Sequence, residues 1–491
     1  MSQLPSVVGV PNEMKLGEID FSLPQDARSY QVRLQPSNIS SVSSGALSLS
    51  TIGANGFSNF AFPSTTLFFD LPCGTSPSLF LDNRFTTLSF RMNITCSTAG
   101  ATGVSTSAFL RSGAYSFFDR MYITGQNGNI IEDISEYGLT NDLLCNLQLD
   151  SSSRDTLATL YGFNSAPDSN VCQGHAISGL VCAANSPATS LNQSFSYSIP
   201  LLSSLIGVGA DKFLNIGKTN KLQLAITTAT ELPISMAVTT AFTAGVISVT
   251  IDNFSLNLEM VDIGQSAYSM LNATYPSNQA YIHGQTYKTS AVSMPATSGN
   301  QSLLVGVRGS SIKSLFARFV DGGAINLTNS VNSKYDSKNP MINNINWNVG
   351  GQKYPNNPIN PLLQPAMAMN SLQKAIGSFN KSQFQSAIIP SQYAKLSAGG
   401  TAQALTLGNT QDYNYNLASA TNGLCQFFYG ENLEVIARRG LMSGLNCNSS
   451  SVFLEMNIAS APNNAHNVYI TGMLDCVYIH DLNSGDIQVR L

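Results

Sequence analysis

Short runs of alternating apolar and polar residues, each closed by Gly, Pro, Asn or Ser, recur along most of this 491-residue chain. The clearest are Ser29–Leu34 (SYQVRL), Thr65–Leu71 (TTLFFDL), Phe85–Thr95, Tyr115–Thr124, Ser194–Pro200, Lys221–Thr227 and Val246–Ile263. They continue with Tyr281–Tyr287, Ser302–Arg308, Ile312–Val320, Ile342–Val349, Val452–Ile458, Val468–His480 and Asp486–Leu491. A period of two turns one face of a strand toward a core and the other toward solvent, and the punctuating residues supply turns. Helical spacing is confined to Ile131–Asn146, Pro365–Phe379 and the short Glu431–Arg438. Many strands with few helices argue against a parallel α/β sheet and imply antiparallel sandwiches or barrels.

At roughly 150 residues per domain, a chain of this length holds two or three units. Two self-similarities favour two. Ser112–Gly125 (SGAYSFFDRMYITG) laid on Ser310–Gly323 (SSIKSLFARFVDGG) matches at Ser112/Ser310, Ser116/Ser314, Phe118/Phe316, Arg120/Arg318 and Gly125/Gly323, an offset of 198. VTIDNFSLNLEMVDIG resembles VYITGMLDCVYIHDLNSG near the C-terminus, with Asp262 over Asp481 at an offset of 219. Offsets this long mark a duplicated domain, since solenoids repeat at about 20–50 residues. Asn127-Gly128 reads as a hairpin turn, and Asp321–Gly323 takes the matching place in the second half. The polar, loop-like GQSAYSMLNATYPSNQA separates the halves. The expected organisation is an N-terminal jelly roll with an arm over 1–264, a linker over 265–280 and a C-terminal jelly roll over 281–491. Each half has the length of an eight-stranded jelly roll with long loops.

Charged residues make up only 11% of the chain, against about 25% in a typical soluble protein. Short polar side chains and glycine fill the gap, while a 43% hydrophobic content supports sizeable cores. Flanks so poor in charge suit a molecule covered by copies of itself. The net charge is −4 and no block of Lys or Arg stands at either end, so direct nucleic-acid binding is not expected. The eight cysteines are Cys73, Cys96, Cys145, Cys172, Cys182, Cys425, Cys447 and Cys476. The opening MSQLPSVVGVPNEMKLGEID lacks a charged stretch followed by an apolar core, so reduced thiols in a chain made in cytosol or nucleus are expected. Leu232–Ile251 carries no charge, but Pro233, Gly245 and a β-branched second half favour a loop feeding a buried strand over a spanning helix.

The usual catalytic constellations are missing. None of the four histidines, His175, His283, His466 and His480, stands four residues from another, and no HExxH occurs. His480 beside Asp481 could mimic a base with its carboxylate, but a strand-end residue is the simpler reading. Gly440–Gly444 (GLMSG) has the wrong spacing for a nucleophile elbow, and no phosphate-binding glycine loop or C-x-x-C is present. Arg438 and Arg439, the one basic doublet, suit the C-terminal end of a short helix. Neither catalytic residues nor cofactor or metal ligands are nominated.

Four segments carry a family likeness: SFFDRMYITGQNGNIIEDI with its helix-like continuation, SIKSLFARF, NWNVGGQKYPNNPI at Asn346–Ile359, and the closing VYITGMLDCVYIHDLNSGDIQVRL. In layout the chain resembles the double jelly-roll major capsid proteins of the polinton-like virus and virophage group. The resemblance implies a non-enzymatic virion protein that forms homotrimers with six jelly rolls. These pseudo-hexameric tiles would cover an icosahedral DNA-virus shell beside penton and minor capsid proteins. Outer loops would face the host, and assembly would take place in host cytoplasm or nucleus. Two other readings stay open. One is a secreted lectin-like or adhesive β-sandwich. The other is a carbohydrate-active enzyme, which would need aromatic platforms where the chain has a single tryptophan, Trp347.

Overall fold

The computed structural model of the chain describes residues 27–38, 47–49, 64–97, 106–110, 113–149, 158–162, 176–177, 191–230, 234–238, 246–273, 275–322, 334–335, 337–377, 388, 393, 426–434 and 442–491. The first half contributes β1 (Arg28–Leu34), β2 (Leu47–Leu49), β3 (Thr66–Asp70), β4 (Leu79–Ser97), β5 (Thr106–Leu110), β6 (Phe118–Thr124), β7 (Ile130–Ser135), β8 (Ala176–Ile177), β9 (Leu191–Pro200), β10 (Gln223–Thr228), β11 (Ile234–Val238) and β12 (Val246–Asp262). Eight of these form two antiparallel sheets, β1-β12-β4-β9 and β3-β10-β6-β7. Renumbered 1 to 8 along the chain, the orders are 1-8-3-6 and 2-7-4-5. That permutation is a jelly roll. β2 extends the first sheet, and β11, β5 and β8 make a small sheet of their own.

The second half repeats the pattern with β13 (Gln279–Met294), β14 (Gly299–Leu304), β15 (Ile312–Asp321), β16 (Ile342–Val349), β17 (Gln352–Ile359), β18 (Phe428–Asn432), β19 (Val452–Ile458) and β20 (His466–Asp481). Their orders, β13-β20-β15-β18 and β14-β19-β16-β17, are again 1-8-3-6 and 2-7-4-5, with β21 (Ile487–Arg490) added to β20. The two ladders also start alike: Arg28 lies opposite Asp262, and Gln279 opposite Asp481. The alignment at 219 therefore joins equivalent strands. The alignment at 198 does not. It lays β6, the fourth strand of its roll, on β15, the third, and these belong to different sheets. The counterpart of β6 is β16, so the Asn127-Gly128 hairpin corresponds to Gly350-Gly351 and not to Asp321–Gly323. All three turn glycines sit at positive φ: Gly128 at 73°, Gly350 at 59° and Gly351 at 91°. Strands share composition, so a local match does not report which sheet a strand joins.

Each roll is filled from both sheets. β19 is the plainest case, with Val452, Leu454, Met456 and Ile458 buried at alternate positions. Burying such a side chain stabilises by about 1.5–3 kcal/mol. Phe90 of β4 bridges to the other sheet through Phe118 of β6, with ring centroids 5.3 Å apart and edge to face. In the second roll Trp347 of β16 plays this part, stacked on Tyr429 of β18 at 6.1 Å. The apolar cluster runs through both rolls without a break.

Three helices longer than one turn occur among the described residues: α1 (Tyr137–Gln148), α2 (Gly264–Asn272) and α3 (Pro365–Ile376). α3 begins at Pro365 as expected but ends at Ile376, short of the expected Phe379, because Gly377 at φ 79° closes it. The stretch Ile131–Asn146 divides instead: its first residues are β7, and α1 begins after Glu136 at φ 49°. Within Glu431–Arg438, residues 431–432 belong to β18, because pairing with β15 overrides local propensity, and 435–438 lie outside the described residues. The loop-like stretch after β12 holds α2. No helix among the described residues is long and apolar enough to cross a membrane.

Candidate functional site

Among the described residues, His480, His466 and Ser443, weighed for catalysis, are sealed in or otherwise engaged. His480 is fully buried, its Nε2 lies 3.4 Å from Thr219 Oγ1, and burial pushes its titration down to about 4. The Asp481 carboxylate does not orient that ring; it accepts the Asn483 and Ser484 amides at 2.9 and 3.3 Å and caps a turn. His466 is buried with Nδ1 3.0 Å from the Asn464 carbonyl oxygen, and burial lowers its titration as well. In the Gly440–Gly444 stretch, Ser443 donates to Glu434 Oε1 at 2.5 Å. Trp347 is core and offers no sugar platform. Cys73, Cys447 and Cys476 are free thiols. His175, Arg438 and Arg439 lie outside the described residues. Among the described residues no three His, Cys, Asp or Glu side chains stand close enough to hold a metal ion.

What the fold does concentrate is buried polarity along the seam where the two rolls meet. Glu132 of β7 is fully enclosed. It accepts the Ser203 hydroxyl at 2.5 Å, the Ser204 amide and hydroxyl at 2.8 and 2.5 Å, and the Thr286 hydroxyl of β13 at 3.3 Å. The Tyr478 hydroxyl of β20 meets Ser204 from the second roll. Burial raises the Glu132 titration above the ordinary carboxylate range, and these hydrogen bonds only partly oppose it.

One turn of chain further on, α1 lies against the second roll. Arg318 of β15 donates to the Asp142 carboxylate and, at 3.4 Å, to the Leu139 carbonyl, with its guanidinium 4.8 Å over the Phe428 ring. Gln426 donates to Asn146 Oδ1 at 3.0 Å. Lys334 pairs with Asp119 of β6 at 2.6 Å and with Glu136 at 3.7 Å. Ser135 and Thr140 both reach Thr289 of β13. Main-chain bonds seal the ends, from Asp211 N to the His283 oxygen at 3.1 Å and from Asn220 N to the Gly485 oxygen at 3.1 Å.

This arrangement can orient two domains, but it presents no reacting geometry. Directional bonds between enclosed groups hold the rolls in one register, because sliding would strand charges away from water. Sequence patterns alone singled out none of these groups for that role. A usable signal existed: in so charge-poor a chain, Glu132 and Arg318 interrupt apolar strands, in IIEDIS and KSLFARFV.

No protein-family model and no curated protein sequence matches the chain. Solved structures do. A chain in the cryo-EM structure of the Sputnik virophage is similar over 99% of this chain and 93% of its own, at 13% identity and a TM-score of 0.51. The mavirus major capsid protein is similar over 100% and 95%, at 11% identity and 0.50. The Faustovirus major capsid protein is similar over 94% and 91%, at 9% identity and 0.51. Identities this low speak to architecture alone, and they agree with the strand orders: the chain has the double jelly-roll fold, shared along nearly its full length with these viral structures.

Proposed function

We propose that the chain is the major capsid protein of an icosahedral DNA virus and acts by assembly, without an enzymatic role. The observation that carries this reading is the repetition of one eight-strand permutation within a single chain, its two copies locked by the buried seam. A rigid pair of like domains is a self-tiling unit, because three such pairs supply six similar sides to a near-hexagonal ring. The chain divides into an N-terminal jelly roll over 1–264, a linker over 265–280 and a C-terminal jelly roll over 281–491. Trimers would pack into the shell beside penton and minor capsid proteins, with outer loops toward the host. Assembly in host cytoplasm or nucleus follows from the expected reduced cysteines. A charged fraction of 11% and a net charge of −4 argue that genome packing falls to other components.

Light scattering on the eluting protein, followed by negative-stain microscopy, tests the reading. Trimers and six-sided tiles are expected. A species that stays monomeric at every concentration would remove it.

A further inference from the structure

The seam offers no reacting geometry to an outside substrate, but it holds an amine against a carboxyl group of the same chain. Lys334, in the connection from β15 to β16, places Nζ 2.6 Å from Oδ1 of Asp119 on β6. The same Nζ lies 3.7 Å from Oε2 of Glu136, the residue just before α1. The lysine side chain is only 11% exposed, so the amine is nearly enclosed. Lys313, Lys338 and Lys353 also meet carboxylates, but at 3.1 to 3.8 Å and each within the second roll. The Lys334 pair is closer and joins one roll to the other.

Both members of the pair are held by other groups. Arg318 donates to the Lys334 and Tyr335 carbonyls at 3.4 and 3.5 Å, and the Tyr335 hydroxyl donates to the Ser116 carbonyl at 3.3 Å. A Cβ at Gly138 would come within 2.6 Å of that hydroxyl, so glycine there lets the tyrosine seat against the first roll. On the acid side, Oδ2 of Asp119 accepts the Thr230 amide at 2.9 Å and its hydroxyl at 3.3 Å, which leaves Oδ1 to the lysine. Burial opposes the ammonium, but Tyr335, Asp119 and Glu136 raise its titration above the ordinary lysine value, so the resting pair is ionic.

We propose that Lys334 and Asp119 condense into an isopeptide bond, with Glu136 carrying the protons, so that the two rolls become covalently joined. Glu136 takes one ammonium proton and passes it to Oδ1 of Asp119, which turns the ion pair into a neutral amine beside a neutral acid. The nitrogen lone pair then attacks Cγ, and the negative charge collects on Oδ2, where Thr230 already donates. A second nitrogen proton reaches Oδ1 through Glu136, the Cγ–Oδ1 bond breaks, and water leaves. Ammonium and carboxylate become amide and water, so no oxidant, cofactor or further reactant is needed. Groups held in contact react as if at an effective concentration of about 10⁵–10⁸ M, which offsets the tendency of water to split an amide. The product also removes two enclosed charges.

Mass spectrometry of the denatured full chain tests the bond. The parent is expected to be lighter than its sequence mass by one water, and digestion should yield the peptides of Asp119 and Lys334 as one linked species. Lys334→Arg keeps an ion pair with Asp119 but cannot form the bond. Glu136→Gln keeps the shape but cannot carry the proton. Both variants should show the full mass while matching the parent by circular dichroism. If either variant fails to fold, the linked peptide of the parent decides alone. A parent at its full mass, or a missing water traced to Lys313 with Glu434 or to ring closure at Asp321-Gly322, overturns the bond. A Glu136→Gln chain that still loses the water overturns the role of Glu136. The bond is internal to one chain, so its failure leaves the capsid reading standing.

Discussion

Two buried titratable groups pull the acid response of this protein in opposite directions. Glu132 has its folded titration raised by burial, so the folded chain holds that proton more tightly than the unfolded one. Its contribution is most favourable in acid and is lost as pH rises from the ordinary carboxylate value near 4. His480 is lowered to about 4, so the unfolded chain binds its proton first, and stability falls as pH drops from about 6.5. The full effect of His480 is about 3 kcal/mol, at about 1.4 kcal/mol for each pH unit between its folded and unfolded titrations. Replacing His480 with Gln should flatten the acid side of a plot of denaturation midpoint against pH. Glu132→Gln should keep most of the hydrogen bonds, and its variant should gain stability relative to the parent as pH rises. A parallel pH dependence for the parent chain and both variants would contradict the assignment. Core side chains make a simpler case: Trp347→Ala opens a cavity between the sheets of the second roll and should cost about 3–5 kcal/mol in urea unfolding.

At the scale of elements, an enclosed charge pair is one of the contacts that tie α1 to the second roll. Arg318 and Asp142 are each almost fully enclosed. Arg318→Met leaves the carboxylate buried without its cation and should destabilise by about 3–5 kcal/mol. The double change Arg318→Met/Asp142→Leu should recover most of that loss, since an apolar pair of similar size meets neither desolvation penalty. A double-mutant cycle by chemical denaturation reads both numbers. A single change as mild as the double one would mean that α1 is held by its apolar face alone. The helices also show where local reading stops. Pro365 marks the start of α3 in the sequence, although its expected span ran past Gly377, whereas α1 starts behind a strand whose apolar spacing imitates a helix. Glu431 looks helical until its pairing with β15 is known.

The whole molecule should unfold as one unit, although it is built from two rolls. Its apolar cluster is continuous and its seam is polar and enclosed, so neither roll keeps its partners when the other opens. Calorimetry is expected to give a single transition, and residues 265–491 expressed alone should expose Arg318, Thr286 and Tyr478 and aggregate unless residues 1–264 are co-expressed. Two separate transitions would show that the rolls are independent. Period-two strands, turn glycines and the near repeat at an offset of 219 were enough to determine, from sequence alone, an all-β chain with a duplicated domain, because backbone geometry and side-chain alternation are local properties. Which strand joins which sheet, the false match at 198, and the meeting of Glu132 with Thr286 or Asp142 with Arg318 were decided only in three dimensions. Sheet neighbours and seam partners are chosen by burial and pairing between residues far apart in the chain, and no local pattern encodes that choice.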